Sequence, residues 1–345
     1  MTTTPIRLGI VGCGAVTRIS HLRALAALPE YEVRYLCDKN LEVARAANRE
    51  FGLNAKVTTD FNDMSGEIDA AIVCAWPSHH FPITMGLLKM GVDVLCEKPI
   101  TTTSSDAIEL AEAATRSQRI VAVGQWCRCL KISWILRRLL SLEFVGQIQA
   151  VTAEFGDELS WPMATGAYFD RKQTGGGVMF DAGIHVLDLI VWMFGELHQI
   201  TYRDDSFGGM EANGILSGVI KSGDREIPCR VAASWTHALF NGVRIVGTEG
   251  EIHLRFANRD YITVVKQVAG EPMVLRIGEE GCDMPFRSGS PQQALLEDFA
   301  FAVGSRRAPV TAVDSAILPL KILEMAYTLR RPLEQPWVTS WGNQP

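Results

Sequence analysis

Residues 6–16 read IRLGIVGCGAV, an apolar run that ends in two glycines and continues into a helical pattern. At such a strand-to-helix turn, Gly12 permits the tight bend, and Gly14 lets the backbone approach a pyrophosphate held at the helix N-terminus. Thr17 occupies the third glycine position, so the GxGxxG fingerprint is incomplete. Asp38, at the end of the next predicted strand, can accept hydrogen bonds from the ribose of a dinucleotide.

This turn predicts a dinucleotide site, and the acid indicates which dinucleotide is bound. A carboxylate at position 38 repels the 2′-phosphate of NADP, so NAD is favoured, although the neighbouring Lys39 weakens that preference. The alternative is a tight turn beside a solvated aspartate. The residues expected around the cofactor at this turn are Gly12, Cys13, Gly14, Ala15, Val16, Asp38 and Lys39.

Strand-like and helix-like segments alternate from this turn to about residue 125. Short apolar runs are separated by amphipathic stretches, for example at 40–51 and 104–117. Strands separated by helices predict a parallel sheet built by right-handed crossovers. We therefore expect residues 1–125 to form an α/β Rossmann domain with a doubly wound parallel sheet.

The remaining residues follow a different pattern. A strongly apolar helix is predicted over 178–194, and several strand-like runs follow over 200–267 without helices between them. Such runs predict a mostly antiparallel sheet. Helices near 291–304 and 312–330 complete the chain. We expect residues 126–345 to form an α+β domain, with helices on one face of the sheet, for substrate binding and oligomerisation.

Composition excludes several classes of protein. Hydrophobic residues make up 47% of the 345 residues, which excludes a disordered chain. The net charge of −6 argues against a nucleic acid or an anionic membrane as partner. No apolar run is expected to reach the roughly 18 residues that span a bilayer. No secretion signal is recognised at the start, so a cytoplasmic location is expected. Cys127 and Cys129 have poor zinc spacing, and no metal site is predicted.

Two further segments carry candidate catalytic groups. Pro99 holds the preceding residue extended, so Lys98 should point into the crevice at the carboxyl edge of the sheet. In the second segment, Asp181 and His185 lie four residues apart on one helix face, which Asp188 continues. Ionisable groups in an apolar helix need a partner or a task. The alternatives are a solvated lysine and a core Asp–His pair that only stabilises the helix.

Taken together, these segments resemble the glucose–fructose oxidoreductase / inositol dehydrogenase / rhizopine catabolism (Gfo/Idh/MocA) family of NAD(P)-dependent sugar and polyol oxidoreductases. The matching pieces are Gly12-Cys13-Gly14, Trp76-Pro77-Ser78-His79-His80, Glu97-Lys98-Pro99 and the block from Gly175 to Trp192. The resemblance implies that Lys98 contacts both the nicotinamide ribose and the substrate. It also implies that His185 is the acid/base and that Asp181 binds or orients the substrate.

The resemblance implies further cofactor-groove residues, namely Trp76, His80, Glu97, Lys98 and Arg128. The family often reads Gly-x-Asn-x-Arg after the sixth strand, whereas this chain has Trp126 in the Asn position and keeps Arg128. A homodimer or homotetramer is also implied.

The loop over 161–172 is expected to face the substrate, because aromatic side chains stack on sugar rings; a packed surface loop is the alternative. The substrate-binding residues expected are Lys98, Trp161, Tyr168, Arg171, Asp181 and His185.

The expected reaction moves a hydride between a ring hydroxyl carbon of a sugar, amino sugar or cyclitol and nicotinamide. Histidine has an ordinary pKa of about 6.5, so His185 is suited to take the hydroxyl proton, and a cationic Lys98 would stabilise the alkoxide. Lys98 could instead be the base. Two other functions stay open: a redox-assisted glycosidase with tightly held NAD, and a binding protein that keeps the fold without the reaction.

Overall fold

A computed structural model describes residues 4–162, 166–278 and 290–333. The chain forms two compact units that are discontinuous in sequence. The first takes the described residues of Met1–Cys129, Pro162–Gly175 and Pro285–Ile317, and the second takes those of Leu130–Trp161, Gly176–Met284 and Leu318–Pro345. The division predicted at residue 125 assumed two continuous domains, whereas two later segments pack with the first unit.

The first unit contains a parallel sheet in the doubly wound order. Its strands are β1 (Ile6–Val11), β2 (Tyr31–Cys37), β3 (Lys56–Thr58), β4 (Ala70–Val73), β5 (Asp93–Cys96) and β6 (Val121–Val123). They lie in the order β3-β2-β1-β4-β5-β6, which confirms the predicted Rossmann fold. Strand β3 was not predicted, because its three residues are largely exposed and carry no apolar run.

The strands end level at the carboxyl edge of this sheet. Val11 pairs with Cys37 on one side and with Val73 on the other, and Val73 pairs with Cys96. The residues that directly follow these strands are therefore neighbours at one edge. This alignment positions the glycine turn, Asp38 and the Glu97–Lys98 segment in the same region.

Helices cover and connect the strands. Their bounds are α1 (Leu22–Leu25), α2 (Leu41–Glu50), α3 (Pro77–Lys89), α4 (Ser104–Ser117), α5 (Lys131–Ser141), α6 (Arg171–Thr174), α7 (Ile184–Phe194), α8 (Pro291–Ser305) and α9 (Ile317–Thr328). A π-helical turn, Thr17–His21, precedes α1, and a second, Met179–Gly183, precedes α7. Asn40 and Thr103 cap α2 and α4 by accepting backbone N–H groups.

The second unit contains a nine-stranded sheet. Its strands are β7 (Ile148–Gly156), β8 (Leu197–Asp204), β9 (Asn213–Ser222), β10 (Arg225–Ser234), β11 (Gly242–Gly247), β12 (Gly250–Arg255), β13 (Ile262–Val268), β14 (Glu271–Ile277) and β15 (Arg330–Pro332). They lie in the order β14-β13-β12-β11-β7-β10-β9-β8-β15, and all neighbours are antiparallel except β7–β10 and β8–β15. The predicted mostly antiparallel sheet is confirmed.

One helical stretch, Arg171–Phe194, is long and apolar enough by length and composition to cross a membrane. However, 72% of its most apolar window is buried inside the structure, and the core helix of a folded domain passes the same test.

Candidate active site

The glycine turn after β1 is closed on one side and open on the other. Gly12 has φ +91°, and a Cβ there would lie 2.6 Å from the carbonyl of Cys74, so only glycine fits. A Cβ at Gly14 would meet no atom within 4 Å, so space is open in front of the turn. Thr17 is buried and donates its hydroxyl to the Gly12 carbonyl at 2.5 Å. The residue that makes the fingerprint incomplete therefore closes the turn itself.

Asp38 fixes this turn from the neighbouring strand. Its Oδ2 accepts the Cys13 N–H at 2.8 Å, and its Oδ1 accepts the Asn40 N–H at 2.8 Å. Each carboxylate oxygen has two lone pairs, so both can still accept ribose hydroxyls. The open space at Gly14, the helix start and this held carboxylate fit the pyrophosphate and ribose of NAD.

We expect Asp38→Asn to shift cofactor preference towards NADP. The amide oxygen can still accept the Cys13 N–H, but the charge that repels a 2′-phosphate is gone. The ratio of NADP to NAD affinity should rise by about tenfold or more, measured by calorimetric titration of both cofactors. Asp224→Asn, at an exposed turn in the second unit, is the matched control. An unchanged ratio would contradict the role given to Asp38.

The Glu97–Lys98 segment directly follows β5 at the same sheet edge. Both side chains are half-buried. Glu97 Oε2 accepts the backbone N–H of Lys98 at 3.1 Å, and Glu97 Oε1 lies 2.7 Å from His21 Nε2. The structure thus places Lys98 at the same sheet edge as the predicted cofactor turn, with β4 between the two preceding strands.

Two residues that were predicted to line the cofactor groove make hydrogen bonds within the first unit. His80 is 1% exposed, and its ring nitrogens lie 2.8 Å and 2.9 Å from the carbonyl oxygens of Pro99 and Ala75. Arg128 is also 1% exposed and donates to the Ser315 hydroxyl at 2.8 Å. Both side chains hold backbone segments near the sheet edge, and direct contact with a cofactor stays a prediction for each.

The predicted aromatic residues of the site are partly exposed. Trp76, before α3, is 37% exposed, and Trp161 is 36% exposed. Tyr168 packs edge to face on Phe169, with ring centroids 5.5 Å apart. Arg171 is exposed at the start of α6, and α6 is held to α3 by a 2.9 Å bond from the Ser78 hydroxyl to Gln173. Residues 163–165 of this loop lie outside the described residues.

The second unit positions Asp181 and His185. Asp181 lies in the π-helical turn and accepts the indole N–H of Trp235 at 3.1 Å. His185 is 4% exposed, in α7, and its ring packs edge to face on Phe155 at 6.0 Å. Asp188 is fully buried. These contacts orient the Asp181 carboxylate and the His185 imidazole within the second unit.

A buried glutamate holds the start of the helix that carries this pair. Glu211, 1% exposed, accepts the N–H groups of Gly177 at 3.1 Å and Met179 at 3.2 Å, and the Tyr327 hydroxyl donates to the same oxygen. A Cβ at Gly177 would lie 2.2 Å from the Glu211 carbonyl oxygen. The same Cβ would lie 2.9 Å from Oε2 of the Glu211 carboxyl group, so a glycine is needed at this position for Glu211 to approach. The carboxyl group accepts the N–H groups that a helix cap ordinarily satisfies.

We expect Glu211→Ala to lower the free energy of unfolding by about 3 kcal/mol, because two buried N–H groups lose their acceptor. Urea unfolding followed by circular dichroism measures this loss. The control is Glu226→Ala, whose carboxylate accepts an exposed hydrogen bond from Gln199. An equal, small effect of both variants would contradict the anchoring role.

The same network predicts a dependence on pH. Burial raises the pKa of Glu211, so its stabilising contribution is present at low pH and declines as the pH rises through that pKa. Wild type should therefore lose stability relative to Glu211→Gln as the pH rises.

Among the described residues, no group of three or more His, Cys, Asp or Glu side chains is arranged to hold a metal ion. Sequence reasoning missed four residues that shape the site: Thr17, His21, Glu211 and Trp235. For His21, a histidine on the apolar face of a predicted helix was an available signal. Glu211 and Trp235 are distant in sequence from the residues that they hold, so no local pattern could reveal them.

A doubly wound domain with this turn and acid, followed by an antiparallel sheet domain, defines a dinucleotide-binding oxidoreductase. The NAD-binding Rossmann-fold model of the GFO/IDH/MocA oxidoreductase family matches residues 6–125, and the C-terminal domain model of the same family matches residues 135–253. The chain belongs to this family. The predicted family, oxidoreductase class and NAD cofactor are thereby confirmed.

Three similar proteins illustrate the likeness. The chain is 29% identical to D-glucoside 3-dehydrogenase of Escherichia coli over 56% of each chain. It is 27% identical to dTDP-3,4-didehydro-2,6-dideoxy-alpha-D-glucose 3-reductase of Streptomyces violaceoruber, over 89% of this chain and 87% of the relative. A solved levoglucosan dehydrogenase in complex with NADH and L-sorbose shares the fold, with TM-score 0.82, 18% identity, and 95% and 98% of the two chains covered.

Proposed function

We propose that this protein is an NAD-dependent dehydrogenase of a sugar, amino sugar or cyclitol. The observation that carries the proposal is the retention of all three catalytic groups that the family resemblance implies. Lys98 directly follows β5 at the sheet edge that also carries the cofactor turn, and Asp181 and His185 contact Trp235 and Phe155. A binding protein that had lost the reaction would not need them.

The chemistry follows from what alcohol oxidation requires. NAD, held at the glycine turn by Gly12, Gly14 and Asp38, would supply the acceptor for the hydride that leaves the ring carbon. His185 takes the proton of the hydroxyl on that carbon, because a histidine changes charge near neutral pH. Lys98 stabilises the developing alkoxide as a cation. Asp181, whose second oxygen holds Trp235, orients the substrate hydroxyl or the imidazole.

The names of two relatives suggest which hydroxyl to test first. Both the E. coli and the Streptomyces proteins are named for reactions at position 3 of a glucose ring or a deoxyglucose. We propose a pyranose 3-hydroxyl as the site of oxidation. Trp161, Tyr168 and Arg171 are the proposed sugar-binding residues, with exposed aromatic surface and a cation.

The test is the near-ultraviolet absorbance of NADH with purified protein, NAD or NADP, and a panel of glucosides, free sugars, amino sugars and inositols. A rise with glucosides but not with their 3-deoxy analogues is expected. Bound NAD without any rise would overturn the dehydrogenase and favour a glycosidase with recycled cofactor or a binding role. The proposed homodimer or homotetramer is checked by light scattering during gel filtration.

A further inference from the structure

A buried pair of ionisable side chains lies behind Lys98 in the first unit. His21 ends the π-helical turn Thr17–His21, and its Nε2 is 2.7 Å from Glu97 Oε1. The side chain of His21 is 1% exposed and that of Glu97 is 16% exposed. The reaction proposed above gives His21 no role. Burying two ionisable groups costs desolvation free energy, so a pair of this kind is expected to have a task.

The surroundings of the pair favour the charged form of each member. Burial opposes the charge of His21, but the neighbouring Cys74 and Glu97 raise its pKa to about 10. Burial also opposes ionisation of Glu97, yet His21 and the Lys98 ammonium lower its pKa overall. Two further titratable groups lie near this carboxylate: burial lowers the pKa of His80 and raises the pKa of the Cys96 thiol. The directions of both shifts favour an imidazolium paired with a carboxylate.

The second oxygen of Glu97 connects this pair to Lys98. Oε2 accepts the Lys98 backbone N–H at 3.1 Å. It also packs against Gly124, where a Cβ would lie 2.7 Å from Oε2. Glu97 is thus held by the helix turn on one side and by the residue after β6 on the other, and it holds the backbone of Lys98 in turn.

We propose that His21 is a positioning residue for Lys98 and acts through Glu97. The inference rests on the proposed function, in which Lys98 stabilises the alkoxide. His21 keeps the carboxylate ionised and in place, so that it orients the Lys98 backbone. Its positive charge also offsets the carboxylate, which would otherwise attract the Lys98 ammonium more strongly.

The kinetic test uses His21→Gln, Glu97→Gln, the double variant and His253→Gln. His253 is a matched control because it also pairs with a glutamate, Glu251 at 2.9 Å, but on β12 of the second unit. We expect H21Q to lower kcat by about tenfold or more with the Kd for NAD nearly unchanged, because a small displacement of Lys98 is costly. The double variant should be no slower than E97Q, since His21 acts through Glu97.

The pH profile separates positioning from general stability. Without His21, burial raises the pKa of Glu97, so H21Q should lose additional activity as the pH falls. Adding E97Q should remove that extra acid limb, because glutamine does not titrate. H253Q should follow wild type throughout. If H21Q also keeps the kcat and pH profile of wild type, the proposal is overturned.

A second readout needs no substrate. Lys98 acetylation by limiting acetic anhydride at mildly alkaline pH is mapped by mass spectrometry, with exposed Lys89 as internal reference. H21Q should slow the acetylation of Lys98 relative to that of Lys89 by about threefold, because the carboxylate left unpaired favours the Lys98 ammonium. E97Q should speed the acetylation of Lys98, because that carboxylate is removed. If wild type oxidises no sugar but these ratios move as expected, the proposed function fails and the coupling stands. Unchanged ratios overturn the coupling whatever the activity.

Discussion

His185→Ala is expected to lower kcat by at least about two orders of magnitude while NAD binding stays intact. General base catalysis contributes about 10²–10⁴-fold, and alanine removes the base entirely. His185 is not among the residues expected around the cofactor, so cofactor affinity should be unaffected. The measurements are kcat at saturating NAD and sugar, and the Kd for NAD by fluorescence titration.

The structure also dictates the controls for this variant. His185 is 4% exposed against Phe155, so alanine leaves a cavity that can lower stability. His185→Gln preserves most of the volume but cannot accept and return a proton near neutral pH, so it should be nearly as slow as H185A. His198→Ala, on β8, should keep wild-type turnover. Near-normal turnover in H185Q would remove His185 from the mechanism.

Lys98→Met should produce a loss of similar size, about two to three orders of magnitude in kcat, because a preorganised cation at the developing alkoxide is lost. Methionine keeps an unbranched side chain of similar length. The KM for the sugar should also rise, since the same ammonium is proposed to contact the substrate. Lys89→Met, at the exposed C-terminal end of α3, is the matched control. Retention of a tenth or more of wild-type activity would contradict the assignment.

Lys98→Arg divides the two roles left open for this residue. Arginine stays protonated, so it can stabilise an alkoxide but cannot take a proton. If His185 is the base, K98R should be clearly faster than K98M. If Lys98 is the base, K98R and K98M should be equally slow, and H185Q should keep substantial turnover.

Local sequence determined most of the parallel sheet of the first unit, apart from the short strand β3. Apolar runs separated by glycines and helix caps predict alternating strands and helices, and right-handed crossovers then leave only a few arrangements of a parallel sheet. The carboxyl edge follows directly, because every parallel strand ends there. Gly12, Asp38 and Lys98 could therefore be assigned to one region from the sequence alone. The resemblance of the Glu97-Lys98-Pro99 and Asp181…His185 segments supplied the family.

Only the tertiary structure decided what holds these residues in place. Thr17, which departs from the glycine fingerprint, donates its hydroxyl to the Gly12 carbonyl and closes the turn. His21 contacts Glu97, which lies 76 positions away in the sequence. Glu211 accepts a hydrogen bond from Gly177, 34 positions away. The tertiary structure also assigned 162–175 and 290–317 to the first unit, whereas the sequence predicted that this domain ends at residue 125. Hydrophobic periodicity reports which face of an element is buried. It does not report which buried polar group lies opposite, because that depends on packing between elements distant in sequence.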